Sequence, residues 1–143
     1  MTSQTKYQQK LEFPAEAKSI NIVEKAIDDL KSEFDIQEDS YGNILVAVTE
    51  AVNNAIQHGN KFDPSKNVKV TYEVDGDKVV FVVTDQGPGF DYYNLPDPTA
   101  PENIVKEAGR GVFLMKELAD QVIFSENGRV VEMYFKTHYD TVA

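Results

Sequence analysis

The sequence predicts an α+β fold in which helices cover one face of a mostly antiparallel sheet. Three observations predict it. The elements read in the order strand, two helices, hairpin, loop, helix, hairpin, an order that gathers helices on one side of strands paired with their sequence neighbours. Two apolar stripes recur at helical spacing, one within residues 20–30 and one within residues 44–56. Two turn signals, Asp75-Gly76 and Asn127-Gly128, each separate two runs of strand-forming residues.

Taken in order, residues 7–13 read as a first strand, stopped by Pro14. A helix over residues 15–34 carries Ile20, Val23, Ala26, Ile27 and Leu30 on one face. A second helix over residues 40–58 carries Ile44, Leu45, Val48, Ala51, Val52, Ala55 and Ile56, and Gly59 offers it a left-handed stop. Asp63-Pro64 marks a turn. Strands follow over 68–74 and 79–83. The unbroken run Val79-Val80-Phe81-Val82-Val83 predicts a central strand covered on both faces. A long irregular stretch holds Pro96, Pro98 and Pro101, and such stretches in compact domains serve as lids or binding loops. A third helix is expected from Gly111 to Leu118, then strands over 122–125 and 130–136.

Composition narrows the function. The chain has 143 residues, a length that favours one domain spanning 1–143, and 41% hydrophobic content supports a folded core. Its net charge of −10 argues against a nucleic-acid partner, which draws on clustered Lys and Arg. A nucleotide is compatible with it, since a magnesium ion and backbone amides can carry the phosphates. With no Cys there are no disulfides, thiolate metal sites or cysteine nucleophiles, and two His make a histidine-rich metal site a poor reading. No apolar run approaches the roughly 18 residues of a membrane span, and the polar residues 1–10 do not read as a secretory signal. The expectation is a soluble, cytoplasmic protein.

Three places carry chemistry. Glu50, Asn54 and His58 are spaced by four and form one ridge of the second helix, placed opposite its apolar stripe. A carboxylate there can take a proton from an attacking hydroxyl, and an amide oxygen one turn away is a hard ligand suited to magnesium. Asn53 and Asn54 sit side by side where Asn forms helix poorly, which sets the ridge apart from an ordinary solvated face. Asp85-Gln86-Gly87-Pro88-Gly89 follows the apolar strand. Its carboxylate can accept a hydrogen bond from a ligand amine, and its glycines let backbone approach a flat ring. Gly109-Arg110-Gly111 opens the third helix, where free amides and the dipole favour an anion and Arg110 adds a forked charge. Singly, these also read as a solvated helix face, an acidic turn and a hinge. Val112, Phe113, Leu114 and Met115 read as core. The sequence contains neither a G-x-G-x-x-G fingerprint opening a helix nor a G-x-x-x-x-G-K-[ST] phosphate loop.

In combination the three places resemble the GHKL (Bergerat-fold) ATPases, and within them the anti-sigma factor serine/threonine-protein kinases. The pieces that carry the resemblance are residues 48–55 (VTEAVNNA) with His58-Gly59, residues 85–90 (DQGPGF) and residues 109–115 (GRGVFLM). The resemblance implies a two-layer α/β sandwich with a mixed, mostly antiparallel sheet, and an ATP lid over about residues 90–108. It implies Glu50 as the general base and Asn54 as the ligand of Mg2+ bridging the phosphates of ATP. Asp85 would meet the adenine amino group, with Gly87 and Gly89 letting the base pack. Gly109, Arg110, Gly111 and Val112 would line the phosphates. The chain departs from the family where a Thr often stands near the adenine: residues 128–133 (GRVVEM) hold none. The implied partners are an anti-anti-sigma (STAS-type) protein as substrate, a sigma factor to be sequestered, and a second copy of the chain as a homodimer, with no direct contact to nucleic acid or membrane. A non-catalytic, nucleotide-dependent binding module of the same fold is the alternative.

Overall fold

The computed structural model describes residues 7–88 and 107–139. Strand β1 (Tyr7–Pro14) leads through a short 3-10 turn into α1 (Ile20–Phe34) and then α2 (Glu38–Asn54), which continues as a π-helical turn (Ala55–Gly59). The hairpin β2 (Asn67–Asp75) and β3 (Lys78–Thr84) follows. Helix α3 (Glu107–Leu118) and the hairpin β4 (Gln121–Ser125) and β5 (Val130–Lys136) complete the order.

The five strands lie in the order β1-β2-β3-β5-β4. Every described pairing is antiparallel, so among these residues the sheet is wholly antiparallel rather than mixed. The register carries apolar side chains across the sheet in rows: Leu11, Val70, Val83, Val131 and Phe124 are successive partners, as are Tyr72, Phe81, Met133 and Val122. A slip of one residue in any strand would turn its whole set to the other face. Val23, Ile27 and Leu30 of α1, and Ile44, Val48, Ala51 and Val52 of α2, bury against this face in one continuous cluster. Phe81 stacks on Tyr72 at 5.1 Å and meets Phe135 edge-on at 6.5 Å.

Local chemistry sets the ends. Helix α1 stops at Asp35 in the left-handed conformation (φ 52°), whose N–H donates to Lys31 O. Glu38 and Asp39 in the first turn of α2 complement its dipole. Gly76 alone of the two β2–β3 turn residues has positive φ (64°), the requirement of a type II′ hairpin.

Four expectations are corrected. The first helix begins at Ile20, because residues 15–19 run from the strand through the 3-10 turn, where Ser19 Oγ donates to Pro14 O. The run 79–83 is central but is not covered on both faces: Val79, Phe81 and Val83 are buried, whereas Val80 and Val82 lie half-buried on the face away from the helices. Gly59 is not a left-handed stop, since the positive-φ residues beyond α2 are Lys61 and Phe62. Helix α3 begins at Glu107, four positions before Gly111, because Glu107 and Ala108 are better helix formers than the glycines that follow. The expected lid over about 90–108 lies outside the described residues except for the backbone of its last two.

Candidate nucleotide site

Helix α2 presents Glu50 and Asn54 one turn apart, and both are half-buried. They do not face open solvent, as the stripe alone implied, because α3 crosses in front of them. A Cβ built on Gly111 would stand 3.0 Å from Asn54 Nδ2, 3.1 Å from Glu50 Oε2 and 3.3 Å from Asn54 Oδ1. The carboxylate and the amide therefore converge on one point of the α3 backbone, a proximity that a side chain there would crowd. Beside them opens a crevice of about 500 Å³, lined by Glu50, Asn53, Asn54, Gln57, Arg110 and Leu114. Arg110 is exposed and brings a cation to this opening.

The earlier start of α3 divides the glycines. Gly109 is the third described residue of α3 and is buried. Gly111 is the fifth residue, so its N–H is committed to the helix and its contribution is the close approach to Glu50 and Asn54. Val112 is buried and belongs to the core through its side chain. Gly89 lies outside the described residues.

Asp85 stands at the end of β3, and its N–H donates to Arg129 O at 2.9 Å. Its Oδ1 accepts the Gly87 N–H at 2.8 Å, which leaves Oδ2 for another donor. Burial pushes the carboxyl above the usual carboxylate range. The Gly87 N–H and the positive charges of Arg129 and Lys66 oppose that rise. The π-turn of α2 packs directly on it: a Cβ on Gly59 would lie 2.5 Å from Asp85 Cγ and Oδ2. A Cβ on Gly87 would fall 1.9 Å from Gly59 O. Neither position admits a side chain.

Helix α2 is thus the spine of the site, with Asp85 against its C-terminal turn. Glu50 lies nine positions back from Gly59, on the order of 13 Å along a helix axis. That separation suits a ligand holding a flat donor-bearing ring at one end and a charged group at the other. His58 does not join the ridge: the π-turn, closed by Asn60 N–H to Ala55 O at 2.8 Å, re-aims it, and it is exposed. The role of Gly59, read from the sequence as a helix stop, and the residue Asn60 altogether escaped the reading of the sequence. Gly59 is required by a contact with Asp85, 26 positions away. Asn60 is 1% exposed, and its Oδ1 accepts the Gln86 N–H at 2.8 Å. An Asn behind a glycine looks like any turn residue, and no periodicity marks it as buried.

A sequence model described as the histidine kinase-like ATPase domain matches residues 13–135. The chain belongs to the histidine kinase-like ATPase domain family. It is 31% identical over 130 residues to a serine-protein kinase RsbW of Bacillus licheniformis, covering 86% of this chain and 81% of that one. A serine-protein kinase RsbW of Staphylococcus aureus (strain JH9) is 29% identical over 131 residues, covering 86% and 82%. The fold matches that of a crystal structure of RsbU and RsbW domains from Mycobacterium tuberculosis. That match has a TM-score of 0.61 and 17% identity, covering 91% of this chain and 32% of that longer one.

Two outcomes follow from this geometry. Because the folded-state pKa of Asp85 is raised, ionised Asp85 weakens the fold, and the burden is relieved as pH falls through the raised value. Asp85→Asn keeps an acceptor for Gly87 and should resist urea better than the parent at neutral pH, with the gap closing as pH falls. The same change should weaken ATP binding by about 1.5–3 kcal/mol, roughly 10- to 100-fold by calorimetry. Gly111→Ala would ordinarily stabilise a helix by about 0.5–1 kcal/mol. Here the new methyl must displace Glu50 and Asn54, so stability should change by less than about 1 kcal/mol while phosphotransfer falls roughly 10- to 100-fold. Unchanged turnover would mean the two side chains need no exact placement.

Proposed function

We propose that this chain transfers the γ-phosphate of Mg·ATP to a serine or threonine of an anti-anti-sigma (STAS-type) protein, and that it sequesters a sigma factor when that partner is absent. It is a serine/threonine-protein kinase, and its relatives over most of the chain are named serine-protein kinases. The observation that carries the proposed chemistry is the convergence of Glu50 and Asn54 beside Arg110, with Asp85 on the same helix spine.

In this reading Glu50 accepts the proton of the acceptor hydroxyl as its oxygen bonds to the γ-phosphorus and ADP departs with the bridging oxygen. Asn54 Oδ1 would hold magnesium, since an amide oxygen is a hard ligand suited to that ion. Among the described residues no cluster of three His, Asp or Glu offers a competing site. Bound there, magnesium would neutralise phosphate charge. Arg110 supplies further positive charge at the same end. Asp85 Oδ2 accepts from the adenine amino group, with the Gly87 N–H holding the other carboxylate oxygen.

The working form in this proposal is a homodimer in the cytoplasm, where ATP and the transcription machinery are found. The half-buried Val80 and Val82, with Ile123 exposed on the same open sheet face, support a second copy of the chain as its cover. No described helix is long and apolar enough to cross a membrane.

The direct test uses Glu50→Gln with labelled ATP and a STAS-type acceptor protein. ATP binding should persist in the presence of magnesium while phosphotransfer drops by roughly 10²–10⁴. Equal rates would remove Glu50 from the base role, and tight binding with no transfer by the parent would favour a non-catalytic module. In sedimentation the chain should run at twice its 16.1 kDa mass, and a Val80→Lys/Val82→Lys double variant should run at the single mass.

A further inference from the structure

Asn60 is among the most buried polar residues of the molecule and takes no part in the chemistry described so far. Its amide is used at both ends. Nδ2 donates to Asn67 O at 2.9 Å, at the start of β2, and Oδ1 accepts the Gln86 N–H at 2.8 Å. The loop is closed a third time where Gln86 Oε1 accepts the Asn67 N–H at 2.6 Å. Asn60 is itself fixed to the end of α2 by its N–H on Ala55 O. The triangle of Asn60, Asn67 and Gln86 therefore ties the π-turn, the first residue of β2 and the residue after Asp85 into one unit.

We infer that Asn60 is a positioning residue that sets adenine selectivity by fixing where the Asp85 carboxylate stands, without touching the nucleotide. The inference rests on the proposed role of Asp85 and deepens it. The peptide groups on both sides of Asp85 are held, its own N–H by Arg129 O and the following N–H by Asn60 Oδ1. With both held, the Asp85 Cα has one orientation. The Gly87 N–H on Oδ1 and the Cα of Gly59 against the carboxylate then determine where Oδ2 points. A carboxamide supplies an acceptor to Gln86 and a donor to Asn67 from two separate atoms of one short side chain. A carboxylate would set an acceptor oxygen against the Asn67 carbonyl, and an aliphatic residue would leave the Gln86 N–H and the Asn67 C=O without this partner.

Selectivity between ATP and ITP reads this role. The two share ribose and triphosphate, but position 6 is a donor amine in adenine and an acceptor carbonyl in hypoxanthine, and N1 beside it changes from acceptor to N–H donor. An Oδ2 held in place rewards the first and repels the second. A loosened Asp85 loses that distinction, whereas a general loss of stability weakens both nucleotides together.

The experiment measures binding of ATP and ITP, each with magnesium, to the full chain and to Asn60→Ala and Gln86→Ala. For Asn60→Ala the ratio of ITP to ATP dissociation constants should fall roughly tenfold, with ITP affinity changing less than about threefold. Gln86 is exposed, so Gln86→Ala should fold. It loosens one side of the triangle and should lower the ratio by about threefold. Affinities for ATP and ITP that fall in parallel, or a ratio unchanged in both variants, overturn the inference. Should Asn60→Ala fail to fold by circular dichroism, the Gln86→Ala ratio decides alone. A parent chain that does not distinguish ATP from ITP overturns the Asp85 reading itself. A discriminating parent with variants that still discriminate overturns only the role of Asn60.

Discussion

One constraint governs the site: helix α2 is met by two other segments at positions that leave no room for a side chain. At its C-terminal turn Gly59 lies on the Asp85 carboxylate and against Gly87, and along its side Glu50 and Asn54 meet Gly111 of α3. These are glycines because of space rather than conformation, since the described glycines with positive φ are Gly76 and Gly128. A side chain at position 87 would have to pass through the Gly59 carbonyl, so the loop would move away from the helix and take the carboxylate with it. The distance between the two ends of the site is therefore built into a single rigid rod, and the ligand does not have to organise it.

That closeness has an energetic consequence. Packing α2 against Asp85 removes water from a carboxylate, which is why its pKa rises and why the ionised form burdens the folded chain. The compensation in the free protein is partial: one N–H on Oδ1 and two positive charges at longer range. In the proposed binding mode a donor arriving at Oδ2 would supply the missing interaction, as the exocyclic amine of a base can. Stability and binding pull in opposite directions at this residue, as they do where a polar group is held ready for a ligand.

The sheet and the first two helices were legible because each is decided by period. Val23, Ile27 and Leu30, or Ile44, Val48 and Val52, announce their burial by spacing alone, and the strands alternate against one covering layer. Val80 and Val82 misled because an unbroken apolar run reads the same whether its second face is covered by helices or by something outside the chain. The partnership of Glu50, Asn54 and Gly111 was visible as a set of motifs but not as a contact, for the α2–α3 crossing depends on tertiary packing. The π-turn and Asn60 were not legible at all. Their roles are fixed by Gln86 and Asn67, and no local propensity encodes a partner 26 residues away. The start of α3 was misplaced for the opposite reason: two glycines look like a beginning, yet they are tolerated inside a helix when the space they leave is needed by a neighbour.

The acidic balance poses the remaining question, since a chain of net charge −10 is asked to hold a polyphosphate. Charges separated by more than about 8 Å through solvent are largely screened at physiological ionic strength, so the total matters less than what lines the crevice. Of the described residues that line it, Arg110 is positive and only Glu50 is negative. A carboxylate beside a phosphate group disfavours binding unless a cation lies between them, and Asn54 one turn away is where that cation would be held. The pairing of a base with a neutral oxygen ligand on the same helix ridge then has a reason beyond spacing. In the proposed chemistry a cation held at Asn54 would offset the repulsion between Glu50 and a phosphate while leaving the carboxylate free to take a proton.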